Sequence, residues 1–328
     1  MSVRWFLPRS AGEIGEQDLR IRRNVSESVR QICDRAVAER DLACFDAVRL
    51  AAAILDHRQS PGIFARYFET VYALGAGRAD EAGRLLREMS EVVEREPRFE
   101  VRALCRADMG DEAARYARLL NAGEREAIFG ISDPQGWDGF EANVQAALHL
   151  IEAADPALAA EIRGLIIQIV GAEPIRAEHS FGSVSSLTLW GAATLNLQSH
   201  RTALEVADAL VHEGAHLLLY ALVMDQPLVL NDDAQRFASP LRQDARPMEG
   251  VFHATFVCAR LHYFYGRLRE RRPETLGVAD LEAADGRLAG LAAQFADGAH
   301  VIAGEGQLSA CGKSIFDATA DYMKRAAV

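Results

Sequence analysis

The sequence predicts an α+β fold that is mainly helical, with a small β-sheet and a pair of helices that carries metal ligands. Apolar residues recur at helical spacing through most of the 328 residues, which is the pattern of amphipathic helices. Short runs of β-branched residues lie between 164 and 197 and predict strands. A His-Glu-x-x-His pattern inside the apolar stretch 209–223 predicts the metal-binding helix.

The N-terminal half is predicted to be helical. Residues 1–20 contain one proline and two glycines, and we interpret them as an irregular leader. Helical patterns follow over 18–96 and 101–155, with a loop at 130–136. We therefore predict that residues 1–160 form a helical scaffold or a substrate-docking region.

The pattern changes in the second half of the chain. The run 164–170 is β-branched and begins at a glycine, 183–190 alternates polar and apolar residues, and 193–197 repeats that alternation. Gly191 indicates a turn or bulge between the last two strands. We predict that 161–328 forms a metal-binding catalytic region with this small sheet and C-terminal helices.

The His-Glu-x-x-His pattern consists of His212, Glu213 and His216. On an α-helix the two histidines lie one turn apart on the same face, close enough to hold one ion. The surrounding residues are apolar, and burying two imidazoles and a carboxylate is costly unless a bound metal or hydrogen bonds satisfy them. Gly214 weakens the helix but allows a neighbouring group to come close.

Further helices are predicted after the metal helix. A polar loop over 225–245 leads to Pro247, which suits the first turn of a helix. The periodic pattern then continues to about Arg272. Two more helices are predicted over 276–296 and 312–326.

Two histidines on one helix need at least one more protein ligand. The extended zincin pattern fails because positions 219 and 222 are Leu219 and Leu222, where a glycine and a histidine are required. Glu249 and His253 lie one turn apart on the helix after Pro247, so either could be the third ligand. His179 could approach from the strand region, or it could be an ordinary loop histidine.

Two arginines precede that helix. Arg242 and Arg246 carry planar guanidinium groups, which suit two-pronged contacts to carboxylates. They could hold the C-terminus of a peptide in a peptidase, or the distal carboxylate of 2-oxoglutarate in an oxygenase. A solvated basic loop is the alternative.

Composition excludes several classes of function. The net charge of −11 argues against a nucleic-acid partner bound through phosphates. The five cysteines are scattered, which argues against a disulfide framework and a zinc–thiolate site. The stretch 203–223 carries five acidic or histidine residues, so it predicts a buried helix and no membrane partner. With no signal-peptide pattern at the start, we predict a cytoplasmic protein. Gly312-Lys313-Ser314 lacks the first glycine of a P-loop, so nucleotide binding is rejected.

The residues alone leave two metal chemistries open. A zinc hydrolase would use Glu213 as the general base that deprotonates a bound water. A non-haem Fe(II) oxygenase would leave open positions for a cosubstrate and O₂. A zincin-like scaffold that only binds peptides is a third possibility, but the intact motif argues against it.

The chain resembles a known family in three short stretches. These are His-Glu-x-x-His at 212–216, Ser-Pro-Leu-Arg at 239–242, and Arg-Pro-Met-Glu-Gly-Val-Phe-His at 246–253. Together they are similar to the HExxH-containing peptide-modification proteins, which act as peptide β-hydroxylases dependent on Fe(II) and 2-oxoglutarate. The resemblance covers about residues 179–265. Leu241 departs from the family, which often has Trp there.

The resemblance implies a reaction and a set of roles. The substrate would be a residue in a ribosomally synthesised precursor peptide. His212, His216 and His253 would hold the iron in a zincin-like helix pair. Arg246, helped by Arg242, would anchor 2-oxoglutarate, and Glu213 would orient a ligand or a water. The main alternative is a zinc metallopeptidase, with Glu249 as ligand and Glu213 as base. Neither reading specifies an oligomeric state.

Overall fold

The computed structural model describes residues 5–38 (35–38 by backbone only), 46–93, 97–122, 127–131, 134, 136–176, 181–224, 226–241, 244–274 and 276–326. The predicted fold class is confirmed at this level, because the described residues are mainly helical and include a small four-stranded sheet. The chain forms two compact units. Unit 1 comprises Met1–Ala11, Ala142–Arg163 and Thr202–Val328, and unit 2 comprises Gly12–Glu141 and Gly164–Arg201. These units are groups of mutual contacts, and the predicted division at residue 160 stays a prediction.

The elements of the described residues are as follows. The helices are α1 (Ala11–Ala38), α2 (Ala47–Asp56), α3 (Pro61–Gly75), α4 (Ala79–Val92), α5 (Arg106–Met109), α6 (Asp111–Leu120), α7 (Phe140–Ala154), α8 (Pro156–Leu165), α9 (Ala203–Leu222), α10 (Met248–Arg271), α11 (Val278–Glu305) and α12 (Ala310–Ala326). The strands are β1 (Glu100–Ala103), β2 (Gln168–Ala172), β3 (Ser183–Val184) and β4 (Ala192–Asn196).

The sheet lies in unit 2, in the order β1-β2-β4-β3. The first three of these strands are parallel, and β3 pairs antiparallel with β4. β4 is completely buried and β2 is largely buried, as strands of parallel sheets usually are. The Tyr116 hydroxyl of α6 donates a hydrogen bond of 2.8 Å to Gln168 at the start of β2. This fixes α6 on the sheet.

Three expectations for unit 2 need correction. The predicted leader 1–20 is wrong from Ala11 onward, because Ile14, Ile21 and Val25 form the buried face of α1 and the early glycines do not interrupt it. β1 was missed inside a segment predicted to be helical, since four residues are too few to show a period. The strand predicted at 183–190 ends at Val184.

A local hydrogen bond explains that early end of the strand. The Ser186 hydroxyl accepts a hydrogen bond of 3.2 Å from the backbone N–H of Thr188, and Leu187–Leu189 forms a 3-10 turn. Serine side chains compete with sheet pairing in this way. Gly191 then has a φ of +91°, which confirms the predicted turn before β4. The strand predicted at 164–170 begins later, at Gln168, because α8 continues to Leu165.

Unit 1 is a set of helices built around α9 and α10. Thr202 caps α9 with a full capping box: its hydroxyl accepts from the Glu205 N–H, and the Glu205 carboxylate accepts from the Thr202 N–H. Contacts from His216 to His253 and from Asp208 to Tyr265 show that α9 and α10 are antiparallel. The predicted metal helix is therefore confirmed as a helix, and α10 confirms the helix after Pro247.

The last two helices are longer than predicted. α11 continues past residue 296 to Glu305 and packs along α10. Its Gly298 lies where the two helices are closest, since an added Cβ would overlap Oγ1 of Thr255. A glycine there allows close approach and does not end the helix. No helix of the described residues is long and apolar enough to cross a membrane.

Candidate metal centre

The side of α9 that reaches solvent is narrow. Between Asp208 and Leu222 the partly exposed residues are Asp208, His212, His216 and Tyr220, and the remaining residues are buried. These four lie at intervals of four, which places them on one line along the helix. We call this line the α9 stripe. Both histidines of the motif are therefore accessible, on a helix that is otherwise core.

The opposite side of α9 explains the motif's glycine. A Cβ on Gly214 would overlap Cδ1 of Ile162 in α8. The group that comes close is thus a core side chain and not a ligand. Gly214 lets α9 sit against α8 and leaves the stripe facing outward.

The two motif histidines are arranged as a chelating pair. Their Nε2 atoms are 3.2 Å apart, and their ring centroids are 5.0 Å apart with an angle of 55° between the rings. Two imidazoles that share one ion at about 2.1 Å, with nitrogens this far apart, have an N–metal–N angle of about 100° and centroids about 5 Å apart. The pair of His212 and His216 therefore fits one shared ion.

His253 of α10 contacts the other nitrogen of His216. The two Nδ1 atoms are 3.0 Å apart, and the ring centroids are 5.3 Å apart with only 21° between the rings. The centroid distance is close to the nitrogen distance plus one ring radius on each side. The rings are thus nearly coplanar and meet edge to edge, as in an N–H···N hydrogen bond.

This arrangement bears on the third ligand. The two nitrogens of an imidazole lie on nearly opposite sides of the ring, so Nε2 of His253 points away from the ion position between His212 and His216. Its ring would have to turn before it could join them. That Nε2 atom is buried without a hydrogen-bond partner. Within the described residues no group of three or more His, Cys, Asp or Glu side chains is already arranged around one ion.

Burial favours the neutral form of His216 and of His253. It lowers the pKa of His216 from 6.5 to about 4, although Glu213 partly opposes the shift. It also lowers the pKa of His253 to about 3, with a smaller contribution from His216. A neutral imidazole is the form that binds a metal.

Two carboxylates accompany the histidines. Glu213 is 1% exposed, and its Oε1 lies 3.9 Å from Nε2 of His212. Glu249 precedes His253 by one turn of α10, and burial followed by the charge of Asp233 raises its pKa. A carboxyl group with a raised pKa suits a proton-transfer role or a ligand role.

Tyr220 belongs to the same site and was missed in the sequence. Its ring centroid is 5.3 Å from that of His253. Burial and the nearby charges of Glu213 and Glu249 raise its pKa. The spacing of four residues that pairs His212 with His216 also points to position 220, so the signal was present in the sequence.

The arginines are described only in part. Arg242, like His179, lies outside the described residues. The Nε atom of Arg246 lies 2.9 Å from a carboxylate oxygen of Asp244, an ion-pair distance without hydrogen-bond alignment. The stem of Arg246 lies beside Gly250, and its backbone pairs with that of Phe237. No contact within the described residues joins Arg246 to the histidines.

Comparison with known proteins adds no name to this arrangement. No protein-family model matches the chain, and no curated protein matches it. The donors themselves, two convergent imidazoles with a third beside them and carboxylates near, fit Zn²⁺ and Fe²⁺ alike.

Proposed function

We propose that this chain is a metal-dependent enzyme that hydroxylates a residue of a ribosomally made precursor peptide, using Fe(II) and 2-oxoglutarate. The observation that supports it is the convergence of the Nε2 atoms of His212 and His216 at 3.2 Å, on the accessible line of a buried helix. The choice of iron over zinc comes from the resemblance of 212–216, 239–242 and 246–253 to the peptide β-hydroxylases.

The chain's own residues divide the work. His212 and His216 hold the ion in a zincin-like pair of α9 and α10. His253 supplies the third nitrogen after the His216 and His253 side chains rearrange, since its Nε2 has no partner within the described residues. With 2-oxoglutarate and O₂, bound Fe(II) would supply the oxidising power for C–H hydroxylation, in which 2-oxoglutarate loses CO₂, one oxygen atom enters the peptide and the other enters succinate.

Arg246 and Glu213 have supporting roles in this proposal. Arg246 exchanges its Asp244 partner for the distal carboxylate of 2-oxoglutarate, aided by Arg242. The Arg246 side chain is 37% exposed, so the exchange needs no rearrangement of the core. Glu213, buried beside His212, orients a ligand or a bound water.

A zinc hydrolase is the second candidate, and one observation favours it. The Glu213 carboxylate lies 3.9 Å from Nε2 of His212, where it could take a proton from a water on the ion. General bases of this kind contribute about 10²–10⁴-fold to the rate. In that case Glu249 would be the third ligand.

The test does not need the peptide. The protein is loaded with Fe(II) without oxygen, and 2-oxoglutarate is added while the visible charge-transfer absorption of an Fe(II)–2-oxo-acid chelate is followed. We expect one Fe(II) per chain and this absorption. Arg246→Ala should raise the 2-oxoglutarate concentration required, and His212→Ala should lose both metal and absorption. His300→Ala is the matched control, because His300 is an exposed histidine of α11.

The alternative predicts a different outcome. If the protein keeps Zn²⁺, gives no absorption with 2-oxoglutarate and cleaves peptides, the hydrolase is the correct assignment. Glu213→Gln separates the two further, because it should abolish peptide cleavage but leave succinate release measurable in an oxygenase. Full metal occupancy in His212→Ala would contradict both functions.

A further inference from the structure

Tyr220 extends the α9 stripe beyond the two histidines. It lies one turn after His216 and packs its ring on His253, with the centroids 5.3 Å apart. It is the last partly exposed residue of the stripe before α9 ends at Leu222. The phenol therefore lies one helical turn along the stripe from His216, whose Nε2 atom converges with that of His212.

The hydroxyl of Tyr220 lacks what the other tyrosines of unit 1 have. The hydroxyls of Tyr263 and Tyr265 donate hydrogen bonds to Asp155 and Asp208. That of Tyr322 is 3.0 Å from Nδ1 of His262. Among the described residues, no hydrogen-bond partner of the Tyr220 hydroxyl is found. Since Tyr220 is partly exposed, this hydroxyl is open to a ligand.

A second unpartnered group lies beside it. Nε2 of His253 has no hydrogen-bond partner within the described residues, and His253 is only 6% exposed. Leaving a buried group unpaired costs stability. This nitrogen and the accessible phenol lie in adjacent side chains, next to a chelating pair, and indicate a place where a ligand binds.

We propose that Tyr220 is a substrate-contacting residue, and that its hydroxyl donates a hydrogen bond to a neutral carbonyl oxygen of the peptide held at the metal site. This rests on the proposed function, which supplies the metal, but it is the same for the oxygenase and the hydrolase. It adds a residue and a ligand chemistry that the sequence motif does not contain.

The surrounding charges select the kind of oxygen. Glu213 and Glu249 are both close enough to Tyr220 to act on its phenol electrostatically. An anionic oxygen placed at the hydroxyl would meet these two carboxylates, whereas an amide carbonyl would not. The phenol is protonated at neutral pH and can therefore donate. A peptide amide fits better than a carboxylate of 2-oxoglutarate.

The experiment uses the full chain loaded with Co(II), whose visible spectrum reports ligands on the ion. Two probes are titrated: acetohydroxamate, which chelates with a single negative charge and keeps an amide-type carbonyl, and oxalate, which chelates through two carboxylates. We expect Tyr220→Phe to bind Co(II) as the wild type does, to bind acetohydroxamate about 3- to 10-fold more weakly, and to bind oxalate unchanged. The phenyl ring remains against His253, so packing is preserved.

Tyr322→Phe is the matched control, because it removes the same atom from a hydroxyl that already has a partner. It should leave acetohydroxamate affinity unchanged and lower the melting temperature. Tyr220→Phe should not lower the melting temperature, since no hydrogen bond within the described residues is lost. A fall in melting temperature as large as that of Tyr322→Phe would overturn the proposal in favour of a structural role.

The remaining outcomes separate this proposal from the function beneath it. Equal acetohydroxamate affinity in wild type and Tyr220→Phe, with Co(II) bound, overturns the role of Tyr220 alone. Equal losses for both probes overturn the amide assignment. Loss of Co(II) affinity would make Tyr220 a ligand. If the wild type binds no Co(II), the proposed metal site fails and this proposal fails with it.

Discussion

Two of the polar side chains that helix α10 buries, Arg260 and His253, are in opposite conditions. Arg260 is 1% exposed, and its guanidinium donates to the Glu161 carboxylate and to the backbone carbonyl of Phe6. His253, two turns earlier, is 6% exposed and leaves Nε2 without a partner. Both groups are expensive to bury, but only the first is largely satisfied by the protein itself.

This difference distinguishes buried polar groups that stabilise the fold from buried polar groups that a ligand could pair with. Glu161 is fully buried, and its second oxygen accepts a hydrogen bond of 2.7 Å from the backbone N–H of Arg9. The pair thus ties α8, α10 and the N-terminal segment together. Within the described residues no such set surrounds His253, which meets His216 at Nδ1 and has no hydrogen-bond partner at Nε2. A buried polar group that is incompletely hydrogen-bonded, within a packed core, is a feature expected of a binding site.

The largest effect is expected from a substitution that removes one member of the Arg260–Glu161 pair. Arg260→Leu leaves the Glu161 carboxylate buried without its cation. Removing one member of a buried pair costs about 3–5 kcal/mol in the free energy of unfolding. Denaturant unfolding of the metal-free protein measures this loss. The metal affinity of the fraction that still folds should be unchanged.

A double variant checks the reason for that loss. Arg260→Leu combined with Glu161→Leu removes both charges, and buried pairs replaced by apolar residues are often tolerated. The double variant should therefore be more stable than Arg260→Leu alone. If it is less stable, the Arg9 and Phe6 backbone contacts contribute more than the charge pairing does.

The next largest effect is expected from a substitution of His253, the incompletely hydrogen-bonded residue. His253→Leu loses the hydrogen bond to His216 but relieves an unpartnered nitrogen, and these contributions oppose each other. We expect the free energy of unfolding in chelator to change by less than about 1 kcal/mol, while metal affinity falls. Parallel unfolding and metal titrations measure the two. A stability loss as large as that of Arg260→Leu would place His253 among the groups that hold the fold.

The sequence predicted the parts of this comparison unevenly. Helices α9 and α10 were predicted because their helical patterns extend over many residues. His212 and His216 were predicted as a pair because one helical turn separates them. Arg260 and Glu161 are 99 residues apart, and no local pattern relates them. The contact of His253 with Nδ1 of His216 depends on ring rotation, which spacing cannot reveal. β1 and the start of α1 were missed where short or glycine-containing segments hide the period.

The smallest effect concerns a third polar residue of α10, the half-buried His262, whose Nδ1 lies 3.0 Å from the Tyr322 hydroxyl. Burial lowers its pKa below the ordinary 6.5, so below about pH 6.5 the unfolded chain binds the proton more readily than the folded one. Stability is then present above that pH and is lost as the pH falls through the folded-state pKa.

His262→Gln keeps a hydrogen-bonding group beside Tyr322 but does not titrate there. Unfolding of both proteins between pH 7 and 5.5 should show the wild type losing slightly more stability than the variant. If the wild type instead loses less stability than the variant as the pH falls, the hydrogen bond with the Tyr322 oxygen stabilises the imidazolium by more than burial destabilises it. The hydrogen-bond partner would then have a larger effect on the pKa of His262 than burial has.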